Sequence, residues 1–376
     1  MVAILSILSF CFTGLYLLTL LYLIIGWARL RAPKPNANPP ATKVSILIAA
    51  RNEAERIHLT IEDILAQDYP RELTEIIIVD DHSTDRTAEI IRSYSDRGVQ
   101  LIRLNEDKPL NSYKKKAIAR AIDRSSGELM VATDADCRMR QQWLSSVVSY
   151  YETEHPVMIS APVSYFEEHT LFESMQTLEF AYLIGMGAGF IGNKKASTCN
   201  GANLAYRKDV FYAVGGFSGI DDLASGDDEL LLQKVAERYP GRIGFLKKRE
   251  AIVYTHAKHT LEEFLQQRRR WASKSTKYKD KRVVAMVVGI WLFNVSLLVN
   301  AILGVFWPYF LNVFWWQIGL KFLFEVVFLV EITSFFKRVH LVVLLIPIEP
   351  IHIIYMIYVG LMGNTRKYLW KGRLVK

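Results

Sequence analysis

The chain has 376 residues, 51% of them hydrophobic and 22% charged, with a formal net charge of +8. That length admits one large domain or two modest ones, and three cysteines (Cys11, Cys137 and Cys199) without CxxC spacing exclude a disulfide framework and a cysteine zinc site. The basic residues cluster beside apolar segments, so the charge points to anionic lipid headgroups and not to nucleic acid.

Residues 2–27 carry no charged side chain, residues 283–320 carry none, and residues 339–365 carry no Lys or Arg. Apolar runs of this length exceed the roughly 20 residues that span a bilayer. Residues 1–28 are expected to form an uncleaved membrane anchor, because a signal peptide would have a basic start and a shorter apolar run. Arg29, Arg31 and Lys34 follow it and no Lys or Arg precedes it, which by the positive-inside rule puts the next domain in the cytoplasm. Residues 29–42, with four prolines between Ala32 and Thr42, read as a linker.

Residues 43–282 are ordinarily polar. Val44–Ala49 reads as a buried strand, and Asn52 and Glu55 are spaced to cap a helix with Ile57, Ile61, Ile64 and Leu65 on one face. Gln67-Asp68-Tyr69-Pro70 breaks that helix, Glu75–Val79 is a second strand, and Thr87, Ile90, Ile91 and Tyr94 line the next helix. Val99–Leu104, a helix near 114–124 and Glu128–Thr133 repeat the alternation. The expected class is α/β with a mostly parallel sheet covered on both faces. Ligands of such sheets collect beyond the carboxyl ends of the strands.

At those ends stand Arg51-Asn52-Glu53, Asp80-Asp81 and Asp134-Ala135-Asp136. Carboxylates delivered to one crevice repel one another without a cation, and hard oxygen ligands point to Mg2+ or Mn2+ and away from zinc. A dehydrogenase is disfavoured because no glycine-rich turn follows the first strand, and a P-loop enzyme because GKS and GKT are missing. Further along, Gly201-Ala202-Asn203 reads as a turn, and Asp227-Asp228 precede a helix through Leu230–Val235. Gln267, Arg270 and Trp271 lie in a basic segment ahead of the second apolar block.

Lys281 and Arg282 open that block. Trp307-Pro308 is expected to divide 283–330 into two helices, and Pro347 and Pro350 to interrupt the last apolar segment. Residues 283–365 thus read as a bundle of two to three spans and 366–376 as a basic tail. Basic residues follow both the penultimate segment (Lys337, Arg338) and the last (Arg366, Lys367, Lys371, Arg373), which favours a re-entrant or interfacial final segment. Lys321, Glu325 and Glu331 either face a bundle interior or reach the interface.

These motifs, in this order, resemble glycosyltransferase family 2, the large group with the GT-A fold, from Lys43 to Trp271. They comprise Val44–Glu53, Gln67–Pro70, Ile78–Asp85, Asp134–Asp136, Gly201–Asn203, Gly226–Glu229 and Gln267–Trp271. The last is similar to the QxxRW signature of synthases that make cellulose, hyaluronan and chitin. The resemblance implies a GT-A domain at 43–282, Asp136 as the principal metal ligand, and Asp134 facing the nucleotide. It also implies that Asp81 contacts uracil or ribose, that Glu53 lines the same pocket, and that one lysine of Lys114–Lys116, here taken as Lys115, lies near the donor phosphates. The family's acidic pair, most often Glu-Asp, is here Asp227-Asp228, with Asp228 as the base.

Gly201, Ala202 and Asn203 would lie beneath the acceptor, Arg270 would grip the pyrophosphate, and Trp271 would stack on a sugar, with Gln267 beside them. The implied activity is inverting transfer from a nucleotide sugar, with uridine diphosphate as carrier, to a lipid-linked or polysaccharide acceptor at the cytoplasmic membrane face. A processive polysaccharide synthase is the alternative within enzymes, and a catalytically silent nucleotide-binding membrane scaffold the alternative outside them. Plainer readings stay open for the same residues: Asp80-Asp81 and Asp227-Asp228 as helix caps, Lys114–Lys116 as a solvated face, and the Gln267–Trp271 segment as an amphipathic helix lying on the membrane.

Overall fold

The computed structural model describes residues 2–33, 38–106, 110, 112–274, 278, 280–362, 368–370 and 373–375. Lys34 and, in the basic tail, Arg366, Lys367 and Lys371 lie outside the described residues.

A seven-stranded sheet runs β3-β2-β1-β4-β8-β6-β9. Its strands are β1 Val44–Ala50, β2 Thr74–Asp80, β3 Val99–Arg103, β4 Leu129–Asp134, β6 Met158–Ser160, β8 Leu204–Arg207 and β9 Ile243–Phe245. Only β8 is antiparallel to its neighbours β4 and β6. β1 lies between β2 and β4, and Val44, Ile46, Leu47 and Ile48 are each 0% exposed. That is why it reads as a continuous apolar run: a parallel strand covered on both faces has no solvent side to mark. The helices α2 Ile57–Leu65, α3 Thr87–Arg92 and α4 Tyr113–Arg124 alternate with these first strands, followed later by α5 Trp143–Glu154, α7 Lys208–Ala213 and α8 Glu229–Arg238. A second, three-stranded sheet joins β5 Arg138–Met139, β10 Val253–Thr255 and β7 Val163–Tyr165.

One expected feature is corrected. Asn52 and Glu55 do not cap α2, whose N-cap is Arg56 without a side-chain bond. Asn52 sits instead at φ 51° and its Oδ1 accepts from the Thr84 N–H at 2.8 Å, tying the β1–α2 loop to the β2–α3 loop. A string matching GxGxxG, residues 187–192, lies inside α6 Leu171–Gly192, where no strand leads into it.

The remaining long helices are α1 Val2–Arg29, α9 Leu261–Ala272, α10 Lys281–Gly304, α11 Pro308–Phe335 and α12 Leu345–Met362. Pro308 takes the first turn of α11, so the break falls at Trp307-Pro308. Among the described residues, three segments are long and apolar enough to cross a membrane: Val2–Arg29, Lys281–Gly304 and Val339–Met362. α1 is built for an apolar solvent. It buries Ser6, Ser9 and Thr13 and exposes Ile4, Ile7, Phe10 and Leu18. In hydrocarbon the polar side chains are what helices hide. Asn300 on α10 donates to Ser9 Oγ (2.9 Å) and Gln317 on α11 (2.7 Å), and Gln317 donates to Thr13 Oγ1 (2.9 Å).

The chain divides into two compact units that do not follow sequence order. The helical unit is Met1–Ala28, Glu168–Gly189 and Lys258–Arg366; the sheet unit is Arg29–Glu167, Phe190–Ala257 and Lys367–Lys376. Most of α6 and all of α9 therefore group with the apolar helices. In the helical unit, a Cβ on Gly189 would stand 2.7 Å from the Leu23 carbonyl oxygen, so glycine is what lets α6 approach α1 this closely.

Candidate functional site

In the sheet unit the register places Ala50 opposite Asp80 and Ala49 opposite Asp134. Two acidic groups are thus carried at the carboxyl ends of the strands flanking β1. Arg51, 9% exposed, donates through Nη1 to the carbonyls of Asp81 (2.8 Å) and His82 (2.7 Å), which fastens the β2 end to the β1 end. His82 is left-handed at φ 52°, and its Nδ1 lies 3.0 Å from Asp81 Oδ1. Asp80 accepts from the Ser83 N–H at 3.3 Å and faces Arg103 Nε at 3.6 Å.

The Glu53 N–H donates to Thr87 Oγ1 at 2.8 Å. Asp85 accepts from the N–H groups of Ala54 (3.1 Å) and Thr87 (3.0 Å). Burial raises the Asp85 carboxyl pKa, but the Thr87 and backbone hydrogen bonds outweigh it and hold the group below its ordinary value. The two strand-end loops are therefore fixed before any ligand arrives.

Lys114, in the first turn of α4, joins the strand end to the distant acidic pair. Its Nζ lies 2.7 Å from Asp134 Oδ1 and 3.1 Å from Asp227 Oδ2. Burial works against its charge, yet Asp134, Asp227 and Asp228 outweigh burial and raise the ammonium pKa. Asp228 is the N-cap of α8: Oδ1 accepts from the Glu229 N–H (2.6 Å) and Oδ2 from the Gly201 N–H (3.0 Å). A Cβ on Gly201 would stand 3.2 Å from Asp228 Cβ, so a side chain there would press the pair apart by a few tenths of an ångström. Gly226, at φ +88°, turns the chain into this pair, and a Cβ there would press on Leu230 at 2.7 Å.

Three expected placements are corrected. Lys115 does not face the crevice: it is 1% exposed and its three N–H bonds go to the carbonyls of Ile220 (2.6 Å), Leu223 (2.7 Å) and Ser225 (2.7 Å). It holds the segment leading to Asp227, and Lys114 is the neighbouring lysine that meets the strand-end carboxylate. Asn203 does not lie open beneath an acceptor: it is 1% exposed, accepts from Trp143 Nε1 at 3.0 Å and donates to the carbonyls of Pro162 and Ala251, both at 2.8 Å. Ala202 is buried as well, leaving Gly201 as the member of that motif that borders the carboxylates.

The third correction concerns convergence on one cation. Among the described residues no group of three or more His, Cys, Asp or Glu is set to hold a metal. The acidic groups are answered separately, Asp134 and Asp227 by Lys114, Asp228 by backbone N–H groups, and Asp80 by Arg103.

The donor set still fits a hard ion. Asp134 and Asp136 supply oxygens two residues apart at the end of β4, and magnesium-type ions are ordinarily held by one or two carboxylates completed by substrate phosphates and water. Cys137 beside them is 0% exposed, and burial, then the charges of Asp136 and Asp134, push its thiol pKa well up. Gln267, Arg270 and Trp271 lie on α9 of the helical unit.

Residues 45–215 match the family model described as "Glycosyl transferase family 2". Glycosyltransferase AglE of Haloferax volcanii is 31% identical over 193 residues, 49% of this chain and 58% of that protein. The probable glycosyltransferase YdaM of Bacillus subtilis is 29% identical over 248 residues, 61% of this chain and 54% of that protein. Hyaluronan synthase of Streptococcus pyogenes serotype M3 is 25% identical over 311 residues, 78% of this chain and 72% of that protein. The chain thus matches little more than half the length of the first two. Among solved structures, the mannosyltransferase PcManGT of Pyrobaculum calidifontis, in complex with GDP-Man and Mn2+, shares the fold at a TM-score of 0.58 and 18% identity, over 89% of this chain and 98% of that one.

Proposed function

We propose, from the premise that this chain belongs to glycosyltransferase family 2, that it is a membrane-bound inverting glycosyltransferase. It moves a sugar from a nucleotide-sugar donor, with uridine diphosphate as carrier, to a lipid-linked or polysaccharide acceptor at the cytoplasmic face of a membrane. The observation that carries this reading is the junction of Asp134, Lys114, Asp227 and Asp228 at the carboxyl edge of the sheet. It joins a strand-end carboxylate, a cation suited to phosphate and an acidic pair from a later part of the chain.

Asp228 is the base. Backbone N–H groups on both of its oxygens fix the plane of the carboxylate, which takes the acceptor hydroxyl's proton. As that proton moves to Asp228, the hydroxyl oxygen bonds to the anomeric carbon from the side opposite the phosphate, the carbon–phosphate-oxygen bond breaks, and the nucleoside diphosphate departs. Lys114 lies where it can pass from Asp134 to that departing charge, and Asp81 and Glu53 stand for the nucleoside. Asp136, with Asp134, would hold a divalent ion, Mg2+ or Mn2+, which when bound neutralises pyrophosphate charge. Arg270 and Trp271 are assigned to pyrophosphate and sugar, with Gln267 beside them, by the resemblance of their motif.

Arg29, Arg31, Lys281 and Arg282, beside two of the candidate spans, support the cytoplasmic side. The likeness to hyaluronan synthase over 78% of the chain favours repeated transfer as a second reading. Membranes containing the full chain should release nucleoside diphosphate from one of a panel of UDP-glucose, UDP-galactose, UDP-N-acetylglucosamine and GDP-mannose. Chelation should abolish release and Mn2+ or Mg2+ should restore it. Full turnover after exhaustive chelation would remove the ion, and no turnover of any donor with lipid and glycan acceptors supplied would remove the activity. A ladder of product lengths would select repeated over single transfer.

A further inference from the structure

We infer that Arg268, a residue outside the QxxRW signature itself, is the positioning residue that fixes two signature side chains, Gln267 and Trp271. The inference rests on the family reading for what Gln267 and Trp271 do, but not for how they are held.

Arg268 is a charged side chain only 3% exposed, in a helix otherwise rich in solvated charge. A buried guanidinium must be fully answered or it destabilises the fold, and every part of this one is engaged. Its Nε lies 3.1 and 3.2 Å from the two Glu179 carboxylate oxygens and its Nη2 lies 2.7 Å from Oε2, a forked pairing that only arginine can make. Its Nη1 donates to Gln267 Oε1. Its guanidinium carbon also lies over two aromatic rings, 4.4 Å from the Phe264 centroid and 4.4 Å from the Trp271 centroid.

Phe264, Arg268 and Trp271 stand at i, i+4 and i+7 of α9, so one helix face carries the whole stack. Trp271 also meets Phe180 of α6, with centroids 6.0 Å apart and planes 28° from parallel.

The anchor is itself anchored. Tyr355 of α12 donates to Glu179 Oε1 at 2.8 Å, and its ring meets Phe264 at 5.7 Å. Arg268 is therefore bolted through Glu179 to two further helices, and it passes that fixity to Gln267 by a hydrogen bond and to Trp271 by a cation–π face. A lysine here would keep the charge and lose both the fork and the flat face. Nothing in this arrangement places Arg268 on a substrate, so its effect would be exerted through its neighbours.

The test uses the full chain in lipid nanodiscs with 5-fluorotryptophan at its eight tryptophans. Trp271→Phe assigns the Trp271 fluorine resonance. The Arg268→Lys and Glu179→Gln variants are expected to shift and broaden that resonance while leaving the other seven in place, and Tyr355→Phe to do so to a lesser degree. In the donor panel, Arg268→Lys is expected to lose roughly a hundredfold in turnover, the cost of about 1 Å of misplacement.

Unmoved Trp271 resonances in folded Arg268→Lys and Glu179→Gln would overturn the inference, as would equal movement of all eight, which would mean a general role in the fold. Should Arg268→Lys fail to fold, Glu179→Gln and Tyr355→Phe carry the same readout. A wild-type chain that turns over no donor would sink the sugar-transfer reading and leave the fluorine result standing; a wild type that turns over donor while Arg268→Lys matches it would sink the positioning role alone.

Discussion

In the helical unit several buried polar side chains pair with one another; in the sheet unit several meet backbone carbonyls that are distant in sequence. Asn300 meets Ser9 and Gln317, and Lys321 meets Glu325 (2.9 Å) and Glu349 (2.6 Å). By contrast Lys115 meets three carbonyls, Asn203 two and Arg51 two. The difference follows from the backbone. A helix satisfies most of its own peptide groups, so a polar side chain turned towards a neighbouring helix finds mainly other side chains, although Gln317 also reaches the Ser9 carbonyl at 3.3 Å. Loops at the end of a parallel sheet leave carbonyls unmet, and a side chain that meets them fixes the loop. Polar burial therefore joins helices in one unit, and in the other it holds the loops that present carboxylates.

Breaking a pair in the helical unit should cost most. Lys321→Met leaves Glu325 and Glu349 facing each other without their shared ammonium, and the expected loss is about 3–5 kcal/mol of stability. It would show as loss of folded, monodisperse protein on extraction. Adding Glu325→Gln and Glu349→Gln should restore most of the loss, and failure to restore it would show that charge balance is not what the lysine supplies.

In the sheet unit, Lys115→Met removes three bonds to buried carbonyls, for an expected loss of about 3 kcal/mol measured by denaturant or thermal unfolding. The same residue gives a pH signature. Burial pulls its pKa down to about 8, against the charges of Asp227, Asp228, Asp222 and Asp221. The unfolded lysine titrates near 10.4, so between these values the unfolded chain binds the extra proton. Wild-type stability should accordingly rise relative to Lys115→Met from about pH 8 to about pH 10.4. A flat difference across that window would contradict the buried placement.

The smallest effect is expected of Gly201→Ala. The added methyl meets Asp228 Cβ at 3.2 Å, so the pair must give by a few tenths of an ångström. Turnover should fall about tenfold with unfolding unchanged. Equal turnover would mean that the Gly201 contact does not set the carboxylate's position.

Much of the sheet unit was legible in sequence because parallel strands buried on both faces are apolar runs, and because acidic residues end them: Val44–Ala50, Thr74–Asp80 and Leu129–Asp134. The break at Trp307-Pro308 was legible because proline accepts the first turn of a helix. The choice between Lys114 and Lys115 was not legible, because both share a buried helix face, Lys114 with Ala117, Ile118 and Ala121 and Lys115 with Ile118 and Ile122. Lys115 finds its carbonyls in a loop about a hundred residues away in sequence, which no local pattern reveals.

Asn203 failed for a similar reason. Its three partners come from Trp143, Pro162 and Ala251, all distant in the chain. The grouping of α6 with the terminal helices was hidden because Glu173 and Glu179 make it read as part of the polar stretch; their partners, among them Arg268, emerge only in three dimensions.

The most direct measurement compares wild type with Asp228→Asn in two assays on the full chain in membranes: binding of the nucleotide sugar that the donor panel identifies, and release of its nucleoside diphosphate. Binding should stay within about twofold and release should fall roughly a hundredfold or more, the scale of a lost general base. Equal release by the two proteins would show that the carboxylate held between Gly201 and Glu229 does not take the acceptor's proton.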